Sequence, residues 1–164
     1  MIKKFILGLL LVSSVAQAEL FQKDTLGIGV ALGSGSLTVG RTTEDYFLLG
    51  ASAEYFVMDN LSVGLGVLSW IGGTPTLNQF TLPLTYYMPL SERFRPYAGV
   101  FFRETLVSDG YDNYSSYGAK LGLAYILSRN SYIGFAMVSE KYGSNSLYED
   151  SSSTYPEITF AFSF

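Results

Sequence analysis

The feature of this sequence that most restricts its fold is an alternation of apolar and small residues in segments of strand length. Residues 26–33 read Leu-Gly-Ile-Gly-Val-Ala-Leu-Gly, and residues 158–164 read Ile-Thr-Phe-Ala-Phe-Ser-Phe. Side chains alternate between the two faces of a β-strand, so one face of each segment is apolar and the other carries small residues. After residue 18 no apolar stretch approaches the ~20 residues of a transmembrane helix, although 48% of the chain is hydrophobic. The alternation therefore predicts an all-β protein.

Eight such segments are separated by turn-rich pieces of two kinds. Tight turns are predicted at 58–60, 89–93 and 129–130, and longer Gly-, Ser-, Asn- and Asp-rich loops at 35–45, 106–114 and 142–153, with a short one at 72–75. Short turns at one end and longer loops at the other are typical of outer-membrane barrels. The predicted strands are 25–34, 46–57, 61–71, 76–88, 94–105, 115–128, 131–141 and 154–164.

Alternation alone also fits a secreted soluble sandwich or lipocalin. Here the second face is mostly Gly, Ser and Thr with few charges, and small residues are what fit inside a narrow barrel. The apolar face then contacts lipid, and closure of the sheet leaves no unpaired backbone edge in the hydrocarbon. We therefore predict an eight-stranded antiparallel up-and-down transmembrane β-barrel over residues 19–164.

Aromatic residues are expected to form two interfacial girdles on this barrel. They are Tyr55, Tyr86, Tyr125, Tyr132 and Phe164 at the periplasmic ends of the strands, and Phe47, Trp70, Phe102, Tyr117 and Tyr155 at the outer ends. Pro96 and Pro156 can lie near strand starts. Pro83 lies inside the fourth strand and removes a ladder donor, so a bulge or a shifted strand boundary is expected there.

The first eighteen residues have the organisation of a secretory signal peptide. Two lysines precede the apolar run Phe5–Val15, and Ala16-Gln17-Ala18 is a small-x-small cleavage site in which Ala16 and Ala18 are the recognised residues. The apolar run is too short to span a bilayer. We expect a signal peptide at 1–18 and an outer-membrane location in a Gram-negative cell.

Two internal segments and the last strand resemble a known family. Residues 54–66 resemble the strand-turn-strand segment of small outer-membrane β-barrel proteins of the OmpA/OmpX-like superfamily, and residues 95–99 resemble its fifth-strand segment. Phe160, Phe162 and Phe164 look like the terminal signal that the barrel assembly machinery recognises. The resemblance implies that machinery as a partner in biogenesis, and outer-membrane lipid and lipopolysaccharide as the surroundings. The superfamily includes structural anchors, adhesins, narrow pores and enzymes, so the resemblance does not select a function.

Composition argues against several kinds of chemistry. The chain has no cysteine and no histidine; barrel enzymes that modify lipid A, which this chain resembles in size, pair a histidine with a serine. The segment Asp109–Asp112 lacks the ligand count of a calcium loop. A net charge of −4 argues against binding to nucleic acid. We predict no enzyme activity, no cofactor and no metal, and a lipid-modifying enzyme is the least favoured reading.

Strand parity predicts which charged side chains face the lumen. Arg95 and Glu140 are expected nearer the rims, and the residues expected inside are Glu54, Arg103, Lys120 and Glu157. Isolated buried charges are costly, so we expect an ion-pair network that plugs the interior. A selective ion path is the alternative, although eight-stranded barrels are only wide enough for side chains.

The predicted extracellular loops carry acidic and tyrosine side chains, which suit either solvated caps or a binding surface for a host or protein ligand. These residues include Asp109, Tyr111, Asp112, Tyr148, Glu149 and Asp150. The sequence therefore predicts an outer-membrane barrel with a structural or surface-interaction role. A narrow pore or a conduit for small ions or apolar molecules is the alternative.

Overall fold

A computed structural model describes residues 19–39, 42–108, 110, 112–143 and 152–164. Each strand pairs antiparallel with its neighbour in sequence, and β1 pairs with β8 to close the barrel. The predicted eight-stranded antiparallel barrel is confirmed. The predicted signal peptide, with Ala16 and Ala18, lies outside the described residues. The strands are β1 Leu26–Val39, β2 Thr42–Met58, β3 Leu61–Ile71, β4 Leu77–Tyr87, β5 Phe94–Val107, β6 Tyr114–Ser128, β7 Ser131–Tyr142 and β8 Ser152–Ser163.

The outer wall of the barrel is apolar along the middle of every strand. Leu65 and Leu121, for example, are 65% and 67% exposed, whereas Leu68 on the opposite face of β3 is 5% exposed. In water such a surface would be unfavourable, but in a bilayer it contacts hydrocarbon while the closed ladder satisfies the backbone. No helix among the described residues has the length and apolarity needed to cross a membrane.

The girdle expectation is wrong for three of its ten aromatic residues. Trp70, Tyr132 and Tyr155 are 0%, 6% and 2% exposed and point into the lumen. The direction of a side chain depends on its parity in the strand and not on its distance from the strand end. Trp70 is two residues after the inward-facing Leu68 and therefore also points inward. Room for its ring comes from Gly35, where an added Cβ would approach the indole to 2.9 Å.

The hairpin of β1 and β2 is longer than predicted. Most of the predicted loop 35–45 is strand, with paired residues from Gly35↔Tyr46 to Val39↔Thr42. Gly, Ser and Thr in this segment suggested a loop, yet pairing between the two strands satisfies the backbone equally well there. The tight turns lie at the other end, which carries residues 19–25, and two of them follow a register irregularity near Met58 and Ser128.

Pro83 produces a break in one ladder and no bulge. Its pairing to β5 continues as Pro83↔Phe101. Toward β3 the pairs run Val63↔Leu84 and then Gly66↔Thr81, so two successive pairs are missing while the register is unchanged. The missing N–H of Pro83 therefore lies on the β3 side. The expected bulge or shifted boundary is wrong, because Gly64 leaves room for the proline ring, with an added Cβ only 3.2 Å from Pro83 Cγ.

Candidate functional site

The lumen is filled in three layers, and the outer one is built around Arg103 on β5. Its Nη1 donates to Glu140 Oε2 and to Tyr155 Oη, both at 2.6 Å. Its Nε donates to Thr81 Oγ1 at 2.8 Å, and its guanidinium carbon lies 4.6 Å from the centre of the Phe101 ring. These contacts join β4, β5, β7 and β8, so the guanidinium bridges the lumen.

Glu140 completes this outer layer. Its second carboxylate oxygen accepts a hydrogen bond from Ser116 Oγ, and its side chain is fully buried. Around the pair lies an aromatic and aliphatic cluster in which Trp70 contacts Tyr155 edge-on. A buried charge is tolerated only when it is paired and hydrogen-bonded, and this arrangement provides both.

The middle layer is a small polar chamber. Lys120 Nζ lies 3.3 Å from Glu157 Oε1, with side chains 19% and 9% exposed. Glu54 accepts hydrogen bonds from Ser62 Oγ at 2.8 Å and from Tyr87 Oη at 3.0 Å. A cavity of about 60 Å³ lies among these groups, which is room for about four water molecules.

The inner layer closes the mouth of the barrel at the end that carries the tight turns, with the segment Glu19–Thr25. Phe21 is 1% exposed, and its ring centroid lies 4.5 Å from that of Tyr87 and 5.3 Å from that of Tyr132. The backbone around it is held from two sides, since Leu20 N donates to Arg129 O at 3.0 Å and Asn60 N donates to Phe21 O at 2.7 Å. The segment thus joins the β6–β7 turn to the β2–β3 turn across the mouth.

The four lumen charges singled out in the sequence all point inward, but they do not contact one another as one network. Arg103 pairs with Glu140, Lys120 pairs with Glu157, and Glu54 contacts only neutral donors among the described residues. Strand parity predicts that Glu140 points inward, but it does not identify Arg103 as its partner. Phe21 was missed because it precedes the first strand and belongs to no alternating segment.

The remaining sequence-predicted residues lie at the ends of the barrel. Phe160 and Phe162 are exposed on the outer face of β8, and Phe164 exchanges backbone hydrogen bonds with Leu26 at the start of β1. Asp112 is exposed. The other predicted loop residues, Asp109, Tyr111, Tyr148, Glu149 and Asp150, lie outside the described residues. In the described part of the chain no group of three or more acidic side chains is arranged to hold a metal ion.

Comparisons with known proteins separate fold from family. No protein-family model and no curated protein matches the sequence. Solved structures do match. The Neisserial surface protein A aligns with a TM-score of 0.71 and 13% identity over 87% of this chain and 98% of its own. The N-terminal barrel of Pseudomonas aeruginosa OprF gives 0.64 and 18% over 87% and 98%. Ail of Yersinia pestis, the attachment invasion locus protein, gives 0.55 and 11% over 87% and 100%.

The fold is that of a small outer-membrane β-barrel protein. At these identities the likeness concerns the backbone alone. The apolar side chains on the outer wall independently indicate a barrel that lies in a membrane. The outer membrane of a Gram-negative cell is therefore where this barrel resides. The predicted resemblance to the small barrels of the OmpA/OmpX-like kind is confirmed at the level of architecture.

Proposed function

We propose that this protein is an integral outer-membrane barrel with a structural or surface-interaction role, and that its lumen is plugged along the barrel axis. The observation that carries the proposal is the buried Arg103–Glu140 pair with Tyr155, which bridges the lumen from β5 to β7 and β8. Below it lies the cavity of about 60 Å³, which is lined by Tyr87 and Tyr132, and the rings of these two residues pack against Phe21. Side chains therefore occupy the axis at both ends of the chamber.

Single-channel recording from purified protein in planar bilayers tests axial closure. The unaltered barrel is expected to show no stable large conductance. The double variant Arg103→Ala, Phe21→Ala removes one blocking side chain from each closing layer and is expected to conduct. Lys141→Ala is the matched control, because Lys141 is exposed on the outer face next to Glu140 in sequence. Large stable conductance from the unaltered protein favours a narrow pore and contradicts the proposal.

A surface-interaction role is supported by the long β1–β2 hairpin and by two similar structures whose names describe a surface protein and an attachment protein. The proposed binding partner is a host-surface or protein ligand that contacts the extracellular loops. Deletion of residues 144–151, which lie between β7 and β8 in the sequence, should abolish adhesion if that loop is the contact. Unchanged adhesion in the deletion variant would exclude this loop as the contact.

Biogenesis and surroundings complete the proposal. We place outer-membrane lipid and lipopolysaccharide against the apolar wall, and the assembly machinery at the last strand through Phe160, Phe162 and Phe164. Phe164→Ala should lower the amount of folded barrel in the outer membrane, since the terminal aromatic is part of the proposed signal. A non-enzymatic role is proposed because the chain has no histidine; incubation with lipid A followed by mass analysis should find no modified product.

A further inference from the structure

The hydrogen-bonded ladder between β3 and β4 is interrupted at the level of the polar chamber. The two missing pairs there are Gly64–Pro83 and Leu65–Leu82, with normal pairs on either side. Pro83 has no N–H to donate to β3. The other described ladders have no such internal break in mid-strand, although the β1–β8 ladder ends early, at Gly33↔Glu157.

An apolar groove lies on the lipid-facing side of this gap. It has a volume of about 610 Å³, and the small outward side chains of Ala51 and Ala53 leave space between Leu65, Phe80 and Phe102. Glu104 is the one charged residue of the lining, and its carboxylate accepts a hydrogen bond from Ser115 Oγ. Its position among the outward side chains of β2 to β5 places it against the acyl chains of the membrane. An apolar hydrocarbon tail is therefore the chemistry that fits it.

The groove and the polar chamber share one wall. Ser52, Gly66 and Thr81 line both spaces, so only the backbone and small side chains of β2, β3 and β4 separate them. An added Cβ at Gly66 would find its nearest neighbours at 3.7 Å, so the chamber side of this wall has room for a methyl group at that position. An apolar space and a polar space thus meet at the point where the ladder is broken.

We propose that this wall is a lateral binding site for a single-chain amphiphile taken from the membrane. The tail lies in the groove, and a small polar head passes the β3–β4 gap into the chamber. A head that donates hydrogen bonds, such as an alcohol or an amine, suits Glu54, whose described partners are the hydroxyls of Ser62 and Tyr87. The site goes beyond the proposed axial closure and does not depend on it.

Thiol labelling in lipid vesicles tests the lateral route, because the chain contains no cysteine. Ser52→Cys places one thiol in the shared wall, and Ala119→Cys places one on the lipid-facing side of β6, away from the groove. A long-chain alkyl thiosulfonate dissolved in the membrane should label Ser52→Cys faster than a charged, water-soluble thiosulfonate does. Labelling rates are expressed relative to Ala119→Cys, and folding of every variant is checked by its mobility on unboiled gels.

Three further variants of the Ser52→Cys protein locate the route. Adding Ala53→Leu fills the groove and should slow the alkyl reagent, whereas adding Ala119→Leu should not. Adding Pro83→Ala restores a donor to the ladder and should slow the reagent about fivefold, which corresponds to about 1 kcal/mol for one hydrogen bond. Dodecylamine in the membrane should protect Ser52→Cys and leave Ala119→Cys unprotected.

The opposite results overturn the proposal. Equal labelling of Ser52→Cys by both reagents would mean that the chamber is reached along the barrel axis. Labelling by neither reagent would mean that the wall does not open. Equal effects of Ala53→Leu and Ala119→Leu would exclude the groove, and no protection by dodecylamine would exclude the polar head.

Discussion

The buried pair of Arg103 and Glu140 allows the contribution of the lumen to stability to be measured. Their side chains are 5% and 0% exposed, and the distance between Nη1 and Oε2 is 2.6 Å. Replacing either partner alone leaves the other charge buried without its counter-ion, which typically costs about 3–5 kcal/mol. Glu140→Gln keeps the shape of the side chain, and Arg103→Met keeps most of its apolar length, so each change mainly removes charge.

The double variant Arg103→Met, Glu140→Gln distinguishes pairing from packing. With both charges gone, no unpaired ion is left in the lumen, and the double variant should be at least as stable as either single variant. The coupling free energy between the two positions should then be at least about 2 kcal/mol. Tyr155 and Ser116 lose charged partners in the same variants, so part of the cost of each single change is theirs.

Equilibrium unfolding in guanidinium or urea, with the barrel in lipid vesicles, gives the required free energies. Trp70 is the single tryptophan and lies 5.7 Å from Tyr155 between ring centroids, so its fluorescence reports on this layer directly. Additive effects of the two substitutions, with a coupling free energy near zero, would refute the view that a buried ion pair organises the outer layer.

Three other predictions concern stability, each measured by the same unfolding experiment. Phe21→Ala removes a ring that is 1% exposed and should destabilise docking of the segment Glu19–Thr25 by about 3 kcal/mol. Proteolysis of that segment should then be faster, and an unchanged proteolysis rate would contradict its role in closing the mouth of the barrel. Gly122→Ala should be strongly destabilising because the new Cβ would overlap the Tyr97 ring, whereas Gly66→Ala, with nearest neighbours at 3.7 Å, should be near neutral; equal effects would count against this lumen packing. Leu121→Arg places a charge on an outward side chain in mid-strand and should cost about 2–4 kcal/mol; a negligible cost would argue against lipid contact there.

The sequence determines the strands and their faces well because both follow from a period of two. Once Ile158, Phe160 and Phe162 are assigned to lipid, the inward direction of Glu157 and Ala161 follows from geometry alone. The same rule carries Arg103 and Lys120 into the lumen. These assignments need no knowledge of which strands face each other across the barrel.

What the sequence does not determine depends on contacts across the lumen. The pairing of Arg103 with Glu140 joins β5 to β7 and requires the closed shape of the barrel, in which residues far apart in sequence meet. Trp70 lies near the outer end of β3, as a girdle residue would, but its parity in the strand directs its side chain into the lumen. The extension of β1 and β2 was missed because Gly and Ser favour turns, whereas pairing between the two strands continues to Val39↔Thr42.

The plug formed by Glu19–Thr25 has a consequence for the order in which the chain reaches its final structure. Its backbone bonds go to Arg129 and Asn60, in turns that belong to β6–β7 and β2–β3. In an eight-stranded barrel these two turns are four strands apart, and they face each other only when β1 has joined β8. The plug can therefore dock only after closure of the sheet. The residues that precede β1 in the chain are thus among the last to become ordered, and their docking marks a completed barrel.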